Sequence, residues 1–427
     1  MKFSVRRLDF FERDVRLRMP FRFGVVTLTA APQAFVRAEI ALENGKVSEG
    51  AAAELLVPKW FDKNPALSNE DNFAQLRGSL SAARTLYLGG GINTAYGHSR
   101  PTVGLVENFG PALIDRALLD ALCRALGVSF YQAVRSNLPG LEIPQFLGTL
   151  RPRSEIAARH TVGLLDPITE KKLDDGLPET LEEVIQRYGH RWFKLKVGGD
   201  VKADVERLSA IAAVLDRLPE YHASLDGNEQ YEDAEGMREL WAAIQSKLKR
   251  LAASIAYIEQ PIKRQHAFAQ PVALDKPVII DESDDSLDAF PRAKALGYRG
   301  VSSKTCKGLY KALINAARCR EWGPEYFMSG EDLTIQAGLA LQQDLALVSI
   351  LGLAHVERNG HHYVNGMAGL PAPEQEDFFK QHQDLYERSH GAVRLRIRGG
   401  MIQMASLDCP GYASRAMPDW NAMREMT

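Results

Sequence analysis

Apolar and polar residues alternate with a period of two through much of the first 55 residues. SVRRLDFFERDVRLRM, TAAPQAFVRAEIAL and VSEGAAAELL each read as a strand with one buried face, and ENGK reads as the hairpin turn before the third. The period then becomes helical. In VENFGPALIDRALLDALCRALGV, residues Ala112, Leu113, Ala117, Leu118, Ala121 and Leu122 recur on one face, and Gly127 marks a C-terminus. Strands followed by helices predict an α+β unit over residues 1–150.

From residue 155 the rhythm is strand, helix, strand, helix. Short β-prone runs at 160–165, 192–197, 222–226, 255–259, 277–281, 300–304, 325–329 and 353–357 are separated by helical patterns such as DVERLSAIAAVLDRL and AEGMRELWAAIQSKL. Eight strands alternating with helices over about 200 residues predict a (β/α)₈ barrel. An open doubly wound sheet is the rival, but no GxGxxG follows a strand. The expected fold class is α/β, a TIM-type barrel over 151–360 with the α+β unit as an N-terminal cap. Residues 361–427, with AVRLRIRG as a strand, are expected to pack back on both.

Composition narrows the function classes. The 427 residues carry a formal net charge of −2 and no basic block, which gives nucleic acid no footprint. Cys123, Cys306, Cys319 and Cys409 form no CxxC pair and read as reduced thiols. The charged N-terminus has no signal-peptide core, and no apolar run approaches the roughly 20 residues that span a bilayer. A cytoplasmic enzyme with a small-molecule substrate is expected, as a homo-oligomer, without nucleic-acid or membrane partners.

The candidate chemistry sits at the strand ends. Lys194 and Lys196 share one side of WFKLKV, Asp226 ends the third barrel strand, Glu259 the fourth, Asp281 the fifth and Lys304 the sixth. The order is cation, anion, anion, anion, cation, on the face where barrel enzymes assemble their sites. Each member has a bland reading: a KxK strand as a solvated face, Asp226-Gly227 as turn chemistry, Asp281 as a helix cap. Together these readings fail, because an inward-facing barrel strand cannot hold two lysines without partners. Three converging carboxylates repel one another unless a cation joins them, and an all-oxygen set suits Mg²⁺ first and Mn²⁺ second. The reaction this favours is removal of the proton beside a substrate carboxylate. A metal ion and an ammonium would stabilise the enediolate that forms. Lys196 is read as the base and Lys194 as the cation that binds the carboxylate, each disfavouring the other's protonation at a spacing of roughly 6.6 Å. Lys304 would approach the opposite face of the substrate.

As an ordered set, KLK, DGN (Asp226, Asn228), EQP (Glu259), DES (Asp281, Glu282) and SSK (Lys304) resemble the enolase superfamily. Within it they are similar to the muconate lactonizing branch of the mandelate racemase/muconate lactonizing enzyme family. The resemblance implies Mg²⁺ on Asp226, Glu259 and Asp281, an acid/base pair of Lys196 and Lys304, and Glu282 orienting Lys304. It implies a racemase, epimerase or cycloisomerase, with β-elimination by an o-succinylbenzoate synthase-like or acid-sugar dehydratase-like lyase as the alternative. A barrel that binds metal and carboxylate without turnover is a further reading, as is a metal-dependent hydrolase or aldolase. One glycine, Gly308, follows the sixth strand where the family has a pair, and Lys307 beside it reads as a surface residue. The eighth strand lacks the aspartate pair of dipeptide epimerases, and Ser329-Gly330-Glu331-Asp332 at the seventh offers no histidine. Glu357 reads either as an acid facing the substrate or as a partner of Arg358 or Lys304. His361-His362 resembles a metal pair, but adjacent residues do not easily face one ion. By resemblance 19–24 and 51–60 are substrate-selecting lids, with Arg22 available for a second anionic group.

Overall fold

A computed structural model describes residues 1–426. Strands β1 (Phe3–Phe23), β2 (Val26–Leu42) and β3 (Val47–Leu55) form an antiparallel meander. Helices α1 (Asn69–Leu88) and α2 (Leu105–Leu126) accompany it. Ser68 and Asp71 make a reciprocal capping box at the start of α1, and Gly127 ends α2 at φ 66°. β3 lies close against α2 because Gly50 has no side chain. A Cβ there would stand 2.1 Å from the Ala121 backbone nitrogen and 2.4 Å from the Ala117 carbonyl.

The barrel strands are β4 (Glu155–Val162), β5 (Trp192–Lys196), β6 (His222–Asp226), β7 (Ile255–Glu259), β8 (Val278–Ile280), β9 (Gly300–Ser303), β10 (Phe327–Gly330) and β11 (His355–Arg358). Each pairs in parallel with the next, and β11 pairs with β4, from His355↔Ala157 to Arg358↔His160, which closes the ring. The first strand begins at Glu155, five residues before the expected run, and stops at Val162. Helices α3 (Leu181–Tyr188), α4 (Val201–Leu215), α5 (Ala234–Lys247), α6 (Ala289–Ala295), α7 (Leu309–Trp322) and α8 (Leu339–Ile350) fill the gaps except one. Between β7 and β8 the described residues form turns and no helix, consistent with prolines at 261, 271 and 277.

The C-terminal segment touches both units. A hairpin of β12 (Tyr386–Ser389) and β13 (Ala392–Leu395) precedes β14 (Met401–Gln403), which pairs antiparallel with β4. Finally β15 (Arg424–Glu425) adds to the edge of β1. No helix among the described residues is long and apolar enough to cross a membrane. All four cysteines are buried and free.

The alternation in WFKLKV is now explained. Phe193, Leu195 and Val197 pack outward with Leu225, Ile258 and the apolar faces of the surrounding helices. Lys194 and Lys196 therefore point into the lumen. The close β3–α2 approach carries a prediction for the cap: Gly50→Ala should lower stability by about 1–3 kcal/mol through overpacking, read as a lower urea midpoint at unchanged m-value.

Candidate active site

The lumen is lined by charge rather than by aliphatic layers. Lys194 Nζ hydrogen-bonds Glu331 Oε2 at 2.7 Å and Glu357 Oε2 at 2.9 Å, and lies 2.8 Å from both Asp226 Oδ2 and Glu259 Oε2. Lys196 donates to the same Asp226 oxygen at 2.5 Å. Lys304 donates to Asp281, whose other oxygen accepts from Ser302 Oγ. Arg159, on β4, pairs with Glu331 and donates to the Gly330 carbonyl. All of these groups are buried.

Burial and neighbours set the charge states. Burial opposes the charge on Lys194, but Asp226, Glu259, Glu331 and Glu357 outweigh it and raise its pKa well above the ordinary range. Lys304 follows the same pattern, raised by Asp281 against the cost of burial. Burial also opposes ionisation of Asp281, yet Lys304 and Lys307 hold it well below its usual value. Glu259 goes the other way: burial first, then Asp226 and Glu331, push it well above 4.5. Its Oε1 has no hydrogen-bond partner, and its Oε2 meets Lys194 without hydrogen-bond geometry. A buried carboxylate whose oxygens accept no hydrogen bond keeps its lone pairs available to a cation. The donor set of Asp226, Glu259 and Asp281 thus fits a hard divalent ion.

The strand-end motifs lock one another in place. The position of a Cβ on Gly227 would lie 2.6 Å from Pro261 Cα, so DGN and EQP pack backbone to backbone. Gln260 accepts from the Asp281 and Ser283 backbone N–H groups and donates to the Ile262 carbonyl and to Ser283 Oγ. Asn228, Glu229, Gln260 and Thr334 all adopt positive φ, a cluster of strained positions around the site.

Above the carboxylates is a narrow cavity. Lys196, Lys304, Asn228, Glu357, Asp332 and Asn359 supply its polar wall, and Phe21, Phe23, Val57, Trp60, Leu333 and Thr334 the remainder. The Trp60 ring covers Lys304 Nζ at 4.4 Å. The cap is tied down over this cavity. Arg264 binds the Trp60 and Phe61 carbonyls and Glu229, and Lys63 reaches Glu229 at 2.6 Å and the Asn228 carbonyl at 2.6 Å.

A family model described as enolase C-terminal domain-like matches residues 176–413. The chain belongs to that family. Among solved structures, this enolase-superfamily chain is similar to the muconate lactonizing enzyme from Mycobacterium smegmatis complexed with muconolactone, with 18% identity, TM-score 0.65 and 100% of each chain covered. It is also similar to the L-Ala-D/L-Glu epimerase from Bacillus subtilis, with 16% identity, TM-score 0.62, 97% of this chain and 99% of that one. A dipeptide epimerase from Enterococcus faecalis complexed with Mg and L-Leu-L-Tyr gives 15% identity and TM-score 0.63, covering 96% and 99%. No curated protein matches by sequence.

The enolase-superfamily barrel brings Lys194, Lys196, Asp226, Glu259, Asp281, Lys304, Asn228, Glu282 and Glu357 together, but several expected pairings are different. Lys194 is not part of the cavity wall; four carboxylates hold its ammonium. Lys194 and Lys196 meet at one oxygen of Asp226, so a carboxylate stands between the two cations. Glu282 faces Asn228 Nδ2 at 3.3 Å and Lys63 at 3.4 Å rather than Lys304. Glu357 pairs with Lys194 and accepts from Thr161 Oγ1 at 2.6 Å, while Arg358 pairs with Asp344. Arg22 is exposed and lies outside the cavity wall, to which its neighbours Phe21 and Phe23 belong; strand alternation turns it away. Lys307 is buried, bonded to Ser302 Oγ at 2.7 Å and 3.0 Å from Asp284. Glu331 and Arg159 were not singled out from sequence, although Glu331 follows a strand end as the other acids do.

Glu259 gives a pH dependence whose sign is fixed. A folded pKa above the unfolded value means that the folded, metal-free chain binds this proton more tightly. The associated stability is present below about pH 4.5 and is lost as pH rises through the folded pKa. In chelator, Glu259→Gln should therefore be more stable than the parent at pH 8, with a smaller difference at pH 5, measured by urea unfolding.

Proposed function

We propose that this chain catalyses Mg²⁺-dependent removal of the proton next to a substrate carboxylate, with Lys196 and Lys304 as the acid/base pair and isomerisation as the outcome. The observation that carries the proposal is that Lys196 on β5 and Lys304 at the end of β9, four strands apart around an eight-stranded ring, line one cavity. Groups so placed can address the two faces of a single carbon, which racemisation or epimerisation requires.

Asp226, Glu259 and Asp281 would hold the divalent ion, which would supply the positive charge that an enediolate needs. Lys194 keeps Asp226 and Glu259 close together despite their repulsion, and Glu331 and Glu357 fix that ammonium from the other side. Lys196 and Lys304 are each hydrogen-bonded to one of the proposed ligand carboxylates. These bonds fix the position of each ammonium at the cavity wall. Trp60, Phe21, Phe23 and Val57 exclude water above the reacting carbon.

The wall also suggests a substrate class. Its apolar share suits a short hydrocarbon substituent, and its acids are already engaged: Glu357 by Lys194, and Asp332 by the Asn359 and Ile335 N–H groups with Arg358 3.7 Å away. No acid is left for a substrate ammonium, so a carboxylate without an adjacent amine fits better than a dipeptide. With Mg²⁺ in D₂O, a panel of small carboxylic acids should include at least one that exchanges its α-hydrogen. Lys196→Ala and Lys304→Ala should each reduce exchange about 10²–10⁴-fold, each for one substrate enantiomer. A panel with no exchange, or full exchange in both variants, would defeat the assignment.

A further inference from the structure

The only histidines that come together on the outer side of the barrel wall among the described residues do so at its closing seam. On β4, Arg159 and Thr161 point into the lumen, so His160 between them points outward. There it meets His190, just before β5, and His361, just after β11. One ring nitrogen from each lies within 4.8 Å of the other two, and all three residues are buried. His362 stands against His160 at 4.8 Å between ring centroids but is not part of the convergent set. The adjacent pair noted in the sequence thus contributes one member, and strand closure supplies the other two.

The nitrogens are unusually bare. His190 Nδ1 lies 2.9 Å from the Ala158 carbonyl, an acceptor only, so this nitrogen carries the proton and leaves the Nε2 lone pair free. His190 Nε2, His160 Nδ1 and both nitrogens of His361 have no hydrogen-bond partner. Buried polar atoms without partners are rare, and several aimed at one point call for an occupant. A histidine with one nitrogen fixed on a backbone carbonyl and the other bare is the arrangement of a metal ligand.

We propose that His160, His190 and His361 form a second metal site, separate from the carboxylate site, for a late first-row divalent ion such as Zn²⁺. Three neutral imidazoles suit that class and not Mg²⁺. Zinc–nitrogen bonds of about 2.1 Å place ligands roughly 3.4 Å apart in a tetrahedron, so the rings close inward by about 1 Å. No carboxylate belongs to the cluster; Arg18 at the His362 carbonyl is paired with Asp175, whereas Arg394 at the His361 carbonyl has no acidic partner among the described residues. With three neutral ligands and that cation nearby, the fourth position is assigned to an anion, hydroxide formed when a bound water gives its proton to solvent. A narrow cavity beside His361, walled by Gln336, Arg358 and Arg394, has room for about one water. Because the ligands flank the β11–β4 pairing, the ion acts as a clamp on barrel closure and takes no part in the reaction.

Co²⁺ is the probe, added to chelator-treated protein saturated with Mg²⁺. One equivalent should bind with the visible absorption of a tetrahedral, nitrogen-ligated ion and raise the melting temperature. Glu259→Gln should retain that signal, while His190→Asn and His361→Asn should lose it and keep Mg²⁺-dependent activity. If a histidine variant does not fold, X-ray absorption on the Glu259→Gln protein decides, with imidazole scattering expected. Absence of stoichiometric Co²⁺ in the parent, its loss in Glu259→Gln, or a shell without imidazole would overturn the site. None of these outcomes bears on proton exchange by Lys196 and Lys304.

Discussion

One ammonium, that of Lys194, lies among four carboxylates inside the barrel, and the geometry of the site depends on it. Asp226, Glu259, Glu331 and Glu357 arrive from four different strands or strand ends and could not be buried together without a shared positive charge. Such a network carries a large desolvation cost and contributes little net stability. The fold is held instead by the outward faces of the same strands, where Phe193, Leu195, Leu225 and Ile258 pack under the helices. The period of two along β5 lets both requirements be met in five residues: its apolar side holds the barrel, and its charged side builds the site.

The motifs that end neighbouring strands are structural as well as chemical. Gly227 permits the close approach of Pro261, and Gln260 bonds the loop that carries Asp281 and Ser283. A larger residue at 227 would displace Asp226 and Glu259 together. Positive φ at Asn228, Glu229 and Gln260 shows that the turns are held by these contacts against their own backbone preference. The carboxylates are thus positioned by backbone packing in addition to charge. Burial and mutual repulsion, which together raise the pKa of Glu259, can therefore persist in the folded chain instead of being relieved by movement.

Much of the architecture was legible because its signals are local. The sheet of the cap, the helix ending at Gly127 and the repeat of barrel strands follow from periodicity and punctuation. β4 was misplaced because EIAARHTV buries an arginine and two polar side chains, which a hydropathy reading counts as exposed. The same blindness hid Arg159 and Glu331. Lys307 was read as a surface residue because nothing within a few residues of it reveals Asp284, its partner across the β8–β9 connection. The identity of the ionisable groups at the strand ends was readable, whereas their pairing was not, since closure decides which charges meet. Glu282 and Lys194 illustrate this: both are at the site, each with partners other than those inferred. Arg22 shows the converse, a residue in the right segment but on the wrong side of a strand.

On the proposed reading the two bases are not equivalent. Lys304 keeps its ammonium against Asp281 and beneath the face of Trp60, two interactions that both favour the charged form. Among the described residues Lys196 has Asp226 as its one ion-pair partner, and that oxygen is divided with Lys194. The two ammonium groups therefore stand in unlike surroundings: Lys304 lies under an aromatic face, and Lys196 shares its carboxylate oxygen with a second lysine. The asymmetry arises in the cap, because Trp60 belongs to the segment that Arg264 fastens over the barrel. The cap thus does more than close the cavity: it makes one wall chemically different from the other.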